Sequence, residues 1–263
     1  MEDYRVSELL RLSLVQCDLE WEHKTANLER IEALIEPLKG QTDVVALPEM
    51  FTTGFSMRPE FLAEPMDGST LRWMAGQAAA LDVSLTGSFI AAESGQYFNR
   101  LVWMYPDGHY LTYDKRHCFR PAGEQEHYTP GFRQLLVEWK GWKIMPLICY
   151  DLRFPVWSRN IHDYDLLLYV ANWPERRVYP WNTLLRARAI ENQSYTAGVN
   201  RVGVDGNGVA HSGDSVVLDF MGMPMQMASQ ISTVLTVTLS RSSQQEFRKN
   251  WPFWMDMDGF TLC

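Results

Sequence analysis

Short, mostly apolar runs that alternate with helical patterns are the feature of this sequence that most limits its fold. Residues 12–15, 44–47 and 165–170 have the length of buried strands, far shorter than the roughly 20 residues that a membrane-spanning helix requires. Helical patterns near residues 27–38 and 181–192 lie between such runs. Because strands and helices alternate and hairpins interrupt them, we predict an α/β layered domain with a mixed sheet.

The rest of the pattern adds hairpins and one long irregular segment. Further strands are predicted near residues 84–91, 101–105, 110–113, 135–139, 143–148, 195–200, 215–218 and 234–239, and a further helix near residues 70–81. Residues 115–133 show no regular pattern, and long loops in compact domains often carry function. Because the sequence has no linker, repeat or low-complexity tract, we expect residues 1–263 to form a single domain.

The charge balance limits the partners that this chain can bind. Its 263 residues carry a formal net charge of −8, whereas nucleic acids and anionic membrane surfaces bind to basic faces. We therefore expect neither a nucleic acid nor a membrane as a partner. A small anionic substrate is compatible with this charge, because the field inside a pocket decides whether such a molecule binds.

The N-terminal residues and the cysteines indicate a reducing compartment. Residues 1–10 carry acidic side chains where a secretory signal would be basic, so we expect no export. The four cysteines, at positions 17, 118, 149 and 263, form no CxxC pair, and the six histidines form no HExxH motif. This pattern predicts a cytoplasmic protein with free thiols and gives no support for a protein-bound metal.

Cys149 is the candidate nucleophile, because it directly follows the predicted strand 143–148 at the point where a helix should begin. A nucleophile at a strand-to-helix turn is presented at the sheet edge, beside backbone N–H groups that can bind an oxyanion. A lone cysteine is more often a buried structural residue, and we assign that role to Cys17, Cys118 and Cys263.

A thiol nucleophile needs a base and a nearby positive charge, and two further strand ends supply them. Glu49 follows strand 44–47 in an apolar setting, which would raise the pKa of its carboxyl group and allow it to act as a base. Lys115 follows strand 110–113 and could stabilise negative charge on oxygen. Taken singly, each is more simply a surface residue. Together with Cys149, they have the complementary roles that a hydrolytic site requires.

The motifs around these residues resemble those of a known enzyme family. Residues 47–49 (LPE), 113–117 (YDKRH) and 149–155 (CYDLRFP) resemble, in the same order, the three catalytic signatures of the nitrilase superfamily of carbon–nitrogen hydrolases. Residues 171–174 and 184–193 match as well, so the resemblance covers nearly the whole chain. It implies an α/β fold of the four-layer αββα sandwich type with mixed sheets, a homodimer, and no metal or organic cofactor.

Within that superfamily, the chain is similar to bacterial omega-amidases of the YafV type. The resemblance implies hydrolysis of the terminal amide of 2-oxoglutaramate and 2-oxosuccinamate to a dicarboxylate and ammonia, through a thioester on Cys149. It also implies that a second glutamate, Glu124, holds Lys115. The chain departs from the family at Cys118 and Phe119, where a Leu-Phe pair is commoner.

The expected mechanism divides the roles among these groups. Glu49 accepts the thiol proton as the sulfur attacks the amide carbon, while Lys115 and the backbone N–H of Tyr150 stabilise the oxyanion. The distal carboxylate of a keto-acid amide needs a cation, for which the candidates are Arg116, Arg120, Arg176 and Arg177. The residues expected to shape the substrate pocket are Phe55, His117, Phe119, Trp173 and Arg177.

The sequence leaves several other activities open. Nitrilases, N-carbamoyl amino acid amidases and other aliphatic amidases use the same catalytic groups, so only the pocket distinguishes them from an omega-amidase. A non-catalytic protein that uses Cys149 as a sensor thiol is a further alternative. The glycine-rich residues 203–208 lack GxGxxG spacing, and we predict a turn between strands there, not a phosphate site.

Overall fold

The structure is a computed structural model that describes residues 6–261 and contains two β-sheets. Its strands are β1 (Leu9–Gln16), β2 (Val44–Ala46), β3 (Ser84–Glu93), β4 (Gln96–Met104), β5 (Tyr110–Asp114), β6 (Val137–Trp139), β7 (Trp142–Ile148), β8 (Leu166–Ala171), β9 (Tyr195–Asn200), β10 (Val202–Val204), β11 (Ala210–Leu218), β12 (Pro224–Ser229) and β13 (Thr233–Ser240). Its α-helices are α1 (Lys24–Ile35), α2 (Pro59–Leu62), α3 (Ser69–Leu81), α4 (Glu124–His127), α5 (Pro155–Ser158), α6 (Val178–Asn192) and α7 (Arg241–Asn250). Short 3-10 helices lie at Glu36–Leu38, Arg120–Ala122, Cys149–Arg153, Glu175–Arg177 and Phe253–Asp256.

The first sheet has the strand order β13-β1-β2-β3-β4-β5. The β1–β2 and β2–β3 pairs are parallel, and the other neighbouring pairs are antiparallel. Two antiparallel pairings separate β3 from β5, so β2 and β5 run in the same direction. The residues that follow β2 and β5 therefore emerge at the same edge of this sheet.

The second sheet has the order β10-β11-β9-β8-β7-β6, and β12 also pairs with β11. At its centre, β7, β8 and β9 are parallel. Since the carboxyl ends of parallel strands lie at one edge, the residues that follow β7 and β8 are neighbours there. Cys149 follows β7 and Asn172 follows β8.

The two sheets pack face to face, because alternate residues of each strand point inward. Leu12 and Leu14 of β1 belong to the same buried cluster as Leu147 of β7 and Leu168 of β8. The inward-facing part of this cluster of aliphatic and aromatic side chains fills the space between the sheets.

Helices cover the outer faces of both sheets. Val15 of β1 points away from the other sheet and packs in a second buried cluster with Ile31 of α1 and Met74 of α3. On the opposite side, Trp181 and Leu185 of α6 pack against the second sheet. The layers are therefore helix, sheet, sheet and helix, so the predicted αββα sandwich with mixed sheets is confirmed. Among residues 6–261, no helix is long and apolar enough to cross a membrane.

Several local predictions need correction. Helix α1 begins at residue 24, where the His23 imidazole accepts a hydrogen bond from the Ala26 N–H at 3.2 Å, and it gives way to a 3-10 turn at residue 36. Residues 115–133 are not wholly irregular, since they contain one 3-10 helix and α4. Strand β12 escaped prediction because most of its residues are exposed and show no apolar alternation.

Candidate active site

Three strand ends bring Glu49, Lys115 and Cys149 together. Glu49 lies three residues beyond β2, Lys115 directly follows β5, and Cys149 directly follows β7 in the facing sheet. Their exposed fractions are 0%, 1% and 9% respectively. The sandwich therefore encloses two charged groups and a thiol at one end, and such groups persist in a protein interior only when they are paired.

Hydrogen bonds from three directions fix the carboxylate of Glu49. Its Oε1 accepts from Lys115 Nζ at 2.8 Å and from Asn99 Nδ2 at 2.8 Å. Its Oε2 accepts from the backbone N–H of Asn172 at 2.8 Å. The Asn172 side chain also donates to the backbone carbonyl of Glu49. The carboxylate thus has one well-defined orientation beside Cys149.

The ammonium group of Lys115 also binds Glu124. Lys115 Nζ donates to both oxygens of Glu124, at 3.0 and 2.9 Å, so its three N–H donors all point at carboxylates. Burial alone would lower the pKa of Lys115, but Glu124 and Glu49 outweigh it and raise that pKa well above its usual range. Burial and the charge of Glu49 raise the pKa of Glu124, although Lys115 opposes them. The predicted link between Lys115 and Glu124 is present in the structure.

The backbone of Cys149 has a strained conformation. Its φ of +45° lies in the left-handed region, which is unfavourable for a residue with a Cβ atom. Cys149 begins the 3-10 helix Cys149–Arg153, the short helical element that the sequence placed after this strand. Burial, and next the charge of Glu49, raise the pKa of the thiol well above its usual range. The resting thiol is therefore protonated, and its attack on a substrate needs a base.

Asp151 connects the Cys149 turn to the segment that carries Lys115. Its Oδ2 accepts from the Ile148 N–H at 3.1 Å and from the Tyr113 hydroxyl at 2.7 Å. Its Oδ1 accepts from the His117 N–H at 3.0 Å. This role was not predicted for Asp151 from the sequence. The position of Asp151 two residues after the nucleophile could have indicated it.

His117 does not line the cavity that lies beside Cys149 and Lys115. This corrects the prediction that His117 shapes the pocket. Its Nδ1 lies 2.7 Å from Asp151 Oδ1, and its ring stacks on Phe154 with a centroid distance of 3.8 Å. His117 therefore packs between Asp151 and Phe154, outside the lining of the cavity.

A cavity of about 440 Å³ lies above Cys149 and Lys115. The other four predicted pocket residues, Phe55, Phe119, Trp173 and Arg177, all line it, as does Tyr150. The Phe55 ring centroid is 5.0 Å from Lys115 Nζ. The backbone N–H of Tyr150 lies in the first turn of a 3-10 helix, where N–H groups lack a carbonyl partner within the helix.

Three arginines on the cavity wall, Arg153, Arg176 and Arg177, form no ion pair with a carboxylate of residues 6–261. The Arg177 guanidinium lies 5.0 Å from the Phe119 ring centroid, and that of Arg153 lies 5.1 Å from the Trp173 centroid. Burial, and then the neighbouring cations Arg176 and Arg153, lower the pKa of Arg177. The cavity thus contains a concentrated positive charge that an anionic ligand could neutralise.

The remaining candidate cations lie elsewhere. Neither Arg116 nor Arg120 lines the cavity. The Arg116 guanidinium packs 4.9 Å from the Phe132 ring centroid. Sequence reasoning missed Arg153, although it lies inside the motif that contains Cys149. Its contribution depends on how the 3-10 helix turns it toward Trp173, which spacing along the chain did not reveal.

The other cysteines are unlike Cys149. Cys17 is fully buried, and this burial raises the pKa of its thiol to about 12. Cys118 packs on a small apolar cluster outside the cavity, and burial followed by Glu124 raises its pKa to about 11. Cys263 lies outside the described residues. Within residues 6–261, no group of three His, Cys, Asp or Glu side chains is placed to hold a metal ion.

Comparisons with known proteins point to one family. The family model for the carbon–nitrogen hydrolases matches residues 11–249. An omega-amidase YafV from Yersinia enterocolitica is 46% identical over 254 residues, which cover 96% of this chain and 98% of that protein. A 2-oxoglutaramate amidase from Bacillus subtilis (strain 168) is 28% identical over 251 residues, covering 94% of this chain and 96% of that protein.

A solved structure of a member of this superfamily has the same fold. The crystal structure of XC1258 from Xanthomonas campestris, a CN-hydrolase superfamily protein with an arsenic adduct in its active site, superposes with a TM-score of 0.96. The two chains are 48% identical, and the match covers 98% of this chain and 100% of that one.

Replacing Lys115 by methionine should leave two buried carboxylates without a cation. We expect Lys115→Met to lower the free energy of unfolding by about 3–5 kcal/mol at pH 8, as for other buried pairs that lose one partner. Losing the cation raises the pKa of Glu124 further in the folded state, so the penalty should shrink as the pH falls and the carboxyl group takes up a proton. Adding Glu124→Gln should restore part of the loss. Urea unfolding at pH 8 and pH 5 measures both effects.

Lys143→Met is the matched control, because Lys143 is partly exposed and its contact with Asp163 is 3.9 Å long. Surface pairs of this kind contribute about 0–1 kcal/mol. Equal losses of unfolding free energy in Lys115→Met and Lys143→Met would contradict the view that Lys115 balances the charge of the buried carboxylates.

Proposed function

The chain belongs to the carbon–nitrogen hydrolase family, within the nitrilase superfamily, and from that premise we propose that its natural substrates are small omega-amido keto acids. It is an amidohydrolase that acts on omega-amides. The proposed reaction converts 2-oxoglutaramate or 2-oxosuccinamate into the corresponding dicarboxylate and ammonia.

The observation that carries this substrate assignment is the cationic wall of the cavity. Partly desolvated guanidinium groups without a carboxylate partner favour an anionic ligand. An omega-amido keto acid has an amide for Cys149 at one end and a carboxylate at the other. We assign that carboxylate to Arg177, whose guanidinium lies over the Phe119 ring, with Arg153 adding charge from the Trp173 side.

In the proposed acylation step, Glu49 removes the proton from the Cys149 thiol as sulfur attacks the amide carbon. The raised pKa of the thiol explains why the fixed, adjacent carboxylate is needed. The carbonyl electrons move onto oxygen, beside the Tyr150 backbone N–H. Glu49 then donates the proton to the leaving nitrogen, ammonia departs, and a thioester remains on Cys149.

Lys115 contributes its charge to this step. Its three N–H donors are directed at Glu49 and Glu124 before substrate binds, so one of them has to be shared with the developing oxyanion. Glu124 binds the ammonium through both oxygens and keeps it in place during that exchange. A single oxyanion donor of this kind is typically worth about 3–4 kcal/mol of transition-state stabilisation.

The second half of the reaction regenerates the thiol. A water molecule occupies the position that ammonia leaves, and Glu49 takes one of its protons as the oxygen attacks the thioester carbon. The carbon–sulfur bond breaks, the dicarboxylate is released, and the thiolate recovers the proton from Glu49. The same fixed carboxylate thus serves as base and as acid in both halves.

The alternative activities fit the cavity less well. A neutral aliphatic nitrile or amide would leave Arg153 and Arg177 without an anion. An N-carbamoyl amino acid carries a carboxylate and is the second candidate on that ground. A sensor-thiol role gives no reason for unpaired arginines beside a nucleophile and a fixed base.

Further assignments concern the setting of the enzyme. We propose that residues 1–263 form a single catalytic domain, because β13 from the end of the chain pairs with β1 from its beginning. A cytoplasmic location is supported by the absence of a disulfide among Cys17, Cys118 and Cys149.

A homodimer is supported by a groove between α5 and the C-terminal residues, where Val156, Phe253 and Phe260 are exposed.

The homodimer should show in solution as twice the chain mass of 30.4 kDa. We expect Phe253→Asp, which places a charge in that groove, to shift the protein toward the monomer in sedimentation equilibrium. Phe61→Asp on α2 is the control, since Phe61 is equally apolar and more exposed. A monomeric wild-type protein at micromolar concentration would refute this assignment.

The substrate assignment predicts a clear order among amides. Ammonia release should be fastest from 2-oxoglutaramate, and much slower from glutamine, succinamate, an N-carbamoyl amino acid and an aliphatic nitrile. Cys149→Ala should abolish it, because the thioester cannot form. Coupled assay of ammonia with purified protein makes the comparison. A folded wild-type enzyme that ignores 2-oxoglutaramate but turns over another of these compounds would replace the assignment.

The arginine assignment predicts a loss in substrate binding. Arg177→Met should raise KM for 2-oxoglutaramate roughly 10- to 100-fold, the range expected when a charge-assisted hydrogen bond is lost, and should change kcat less. For a neutral aliphatic amide, the same substitution should have little effect. Arg116→Met is the control, because Arg116 lies outside the cavity. If both variants keep the wild-type KM, Arg177 does not bind the carboxylate.

A further inference from the structure

Asn99 contacts all three charged residues of the buried site. This residue lies on β4 with an exposed fraction of 1%. Its Nδ2 group donates to Glu49 Oε1 at 2.8 Å and to Glu124 Oε1 at 3.2 Å. Its backbone carbonyl accepts from the Lys115 N–H at 3.0 Å. No motif in the sequence marked this position.

The carbonyl oxygen of the Asn99 side chain differs from its Nδ2 group in its hydrogen bonding. Asn99 Oδ1 is buried and has no hydrogen-bond partner among residues 6–261. The side-chain hydrogen bonds of Asn99 are therefore those of its Nδ2 group, and both go to carboxylates of the site.

We propose that Asn99 is a positioning residue for the hydrolytic reaction, whose amide N–H groups bridge Glu49 and Glu124 and hold the Glu49 carboxylate in place beside Cys149. The proposal rests on the proposed function, in which Glu49 is the base. Asn99 does not line the cavity, so it acts on the substrate only through the groups that it holds.

The charges in the cluster explain why a neutral donor is useful there. Two carboxylates share the single positive charge of Lys115, so one negative charge is left over in a buried space. An amide supplies an N–H to each carboxylate without adding charge or taking up a proton. Loss of the Asn99 amide should therefore leave the Glu49 carboxylate with one neutral donor fewer beside Cys149.

Other groups also surround the Glu49 carboxylate. The titratable side chains that face it are Lys115 beyond β5, Glu124 on α4, Cys149 at the start of the 3-10 helix and, more distantly, Tyr128 after α4. The remaining oxygen of Glu49 is bound by the Asn172 backbone N–H, which a side-chain substitution leaves in place. Asn99 is thus the neutral side-chain donor to Glu49 that mutagenesis can remove cleanly.

The test is the pH dependence of Cys149 reactivity in Asn99→Ala and Asn99→Asp. Alkylation of the thiol by iodoacetamide needs a base to take the thiol proton, so its rate falls on the acid side of the pH profile, the acid limb. We expect this acid limb to move to higher pH in Asn99→Ala, because the carboxylate that serves as the base loses a hydrogen bond. The shift should be larger in Asn99→Asp, which replaces the donor by a third carboxylate of the same size.

Turnover gives a second readout. The acid limb of kcat/KM for 2-oxoglutaramate should shift in the same direction, with kcat reduced about 10-fold or more near pH 6 and approaching the wild-type value at high pH. KM should change little, because Asn99 does not line the cavity. A merely structural role would lower activity equally at all pH values.

Asn192→Ala is the matched control. Asn192 on α6 is also a buried asparagine, and its side chain accepts from the Asn160 N–H at 2.9 Å and donates to the Arg188 carbonyl at 3.0 Å. It is remote from the charge cluster. We expect this variant to lower the melting temperature and to leave the acid limb unmoved.

The outcomes separate this inference from the proposed function. An unmoved acid limb of alkylation in folded Asn99→Ala would overturn it, whatever the substrate is. A shifted limb in a protein that ignores 2-oxoglutaramate would support the role of Asn99 and overturn the substrate assignment. If Asn99→Asp does not fold, Asn99→Ala decides. If neither folds while Asn192→Ala does, Asn99 is a structural residue and the inference fails.

Discussion

The ammonium group of Lys115, held between the carboxylates of Glu49 and Glu124, is the interaction on which the rest of this site depends. All three residues are almost completely buried, and none of these charges would be tolerated there alone. Lys115 therefore fixes the end of β5 relative to the end of β2 and to α4. Glu49 also lies against the Cys149 thiol, whose pKa is raised by burial and next by Glu49, and this is where the proton transfer is needed.

The nucleophile adds a second constraint from the facing sheet. Cys149 has a left-handed backbone conformation, which costs free energy and has to be held by its surroundings. Asp151 supplies this support, since its carboxylate binds the backbone before Cys149 and the residues that flank Lys115. The thiol and the ammonium group are consequently fixed by one hydrogen-bonded network that spans both sheets. A geometry of this kind is prepared before the substrate arrives, which is the usual basis of electrostatic catalysis.

The cavity distinguishes the ends of a substrate by charge. Its floor holds Cys149 and the cluster around Lys115, while Arg153, Arg176 and Arg177 on its wall have no anionic partner among residues 6–261. A molecule with an amide at one end and a carboxylate at the other satisfies both regions. The contacts of two guanidinium groups with the Phe119 and Trp173 rings restrict these long side chains, so less conformational entropy is lost when an anion binds.

The sequence by itself determined the layered fold and the catalytic trio, because periodic burial and the residues at strand ends are local features. It also identified the family, from motifs that are contiguous in the chain. Only the tertiary structure decided the contacts of Asn99, Asp151 and Arg153 and placed His117 outside the lining of the cavity. These contacts join segments tens of residues apart, and the direction in which a buried polar side chain points depends on donors and acceptors that other strands supply. The sequence indicates which polar residues lie in or beside buried strands. Their hydrogen-bond partners come from other segments, which approach only when the two sheets pack together.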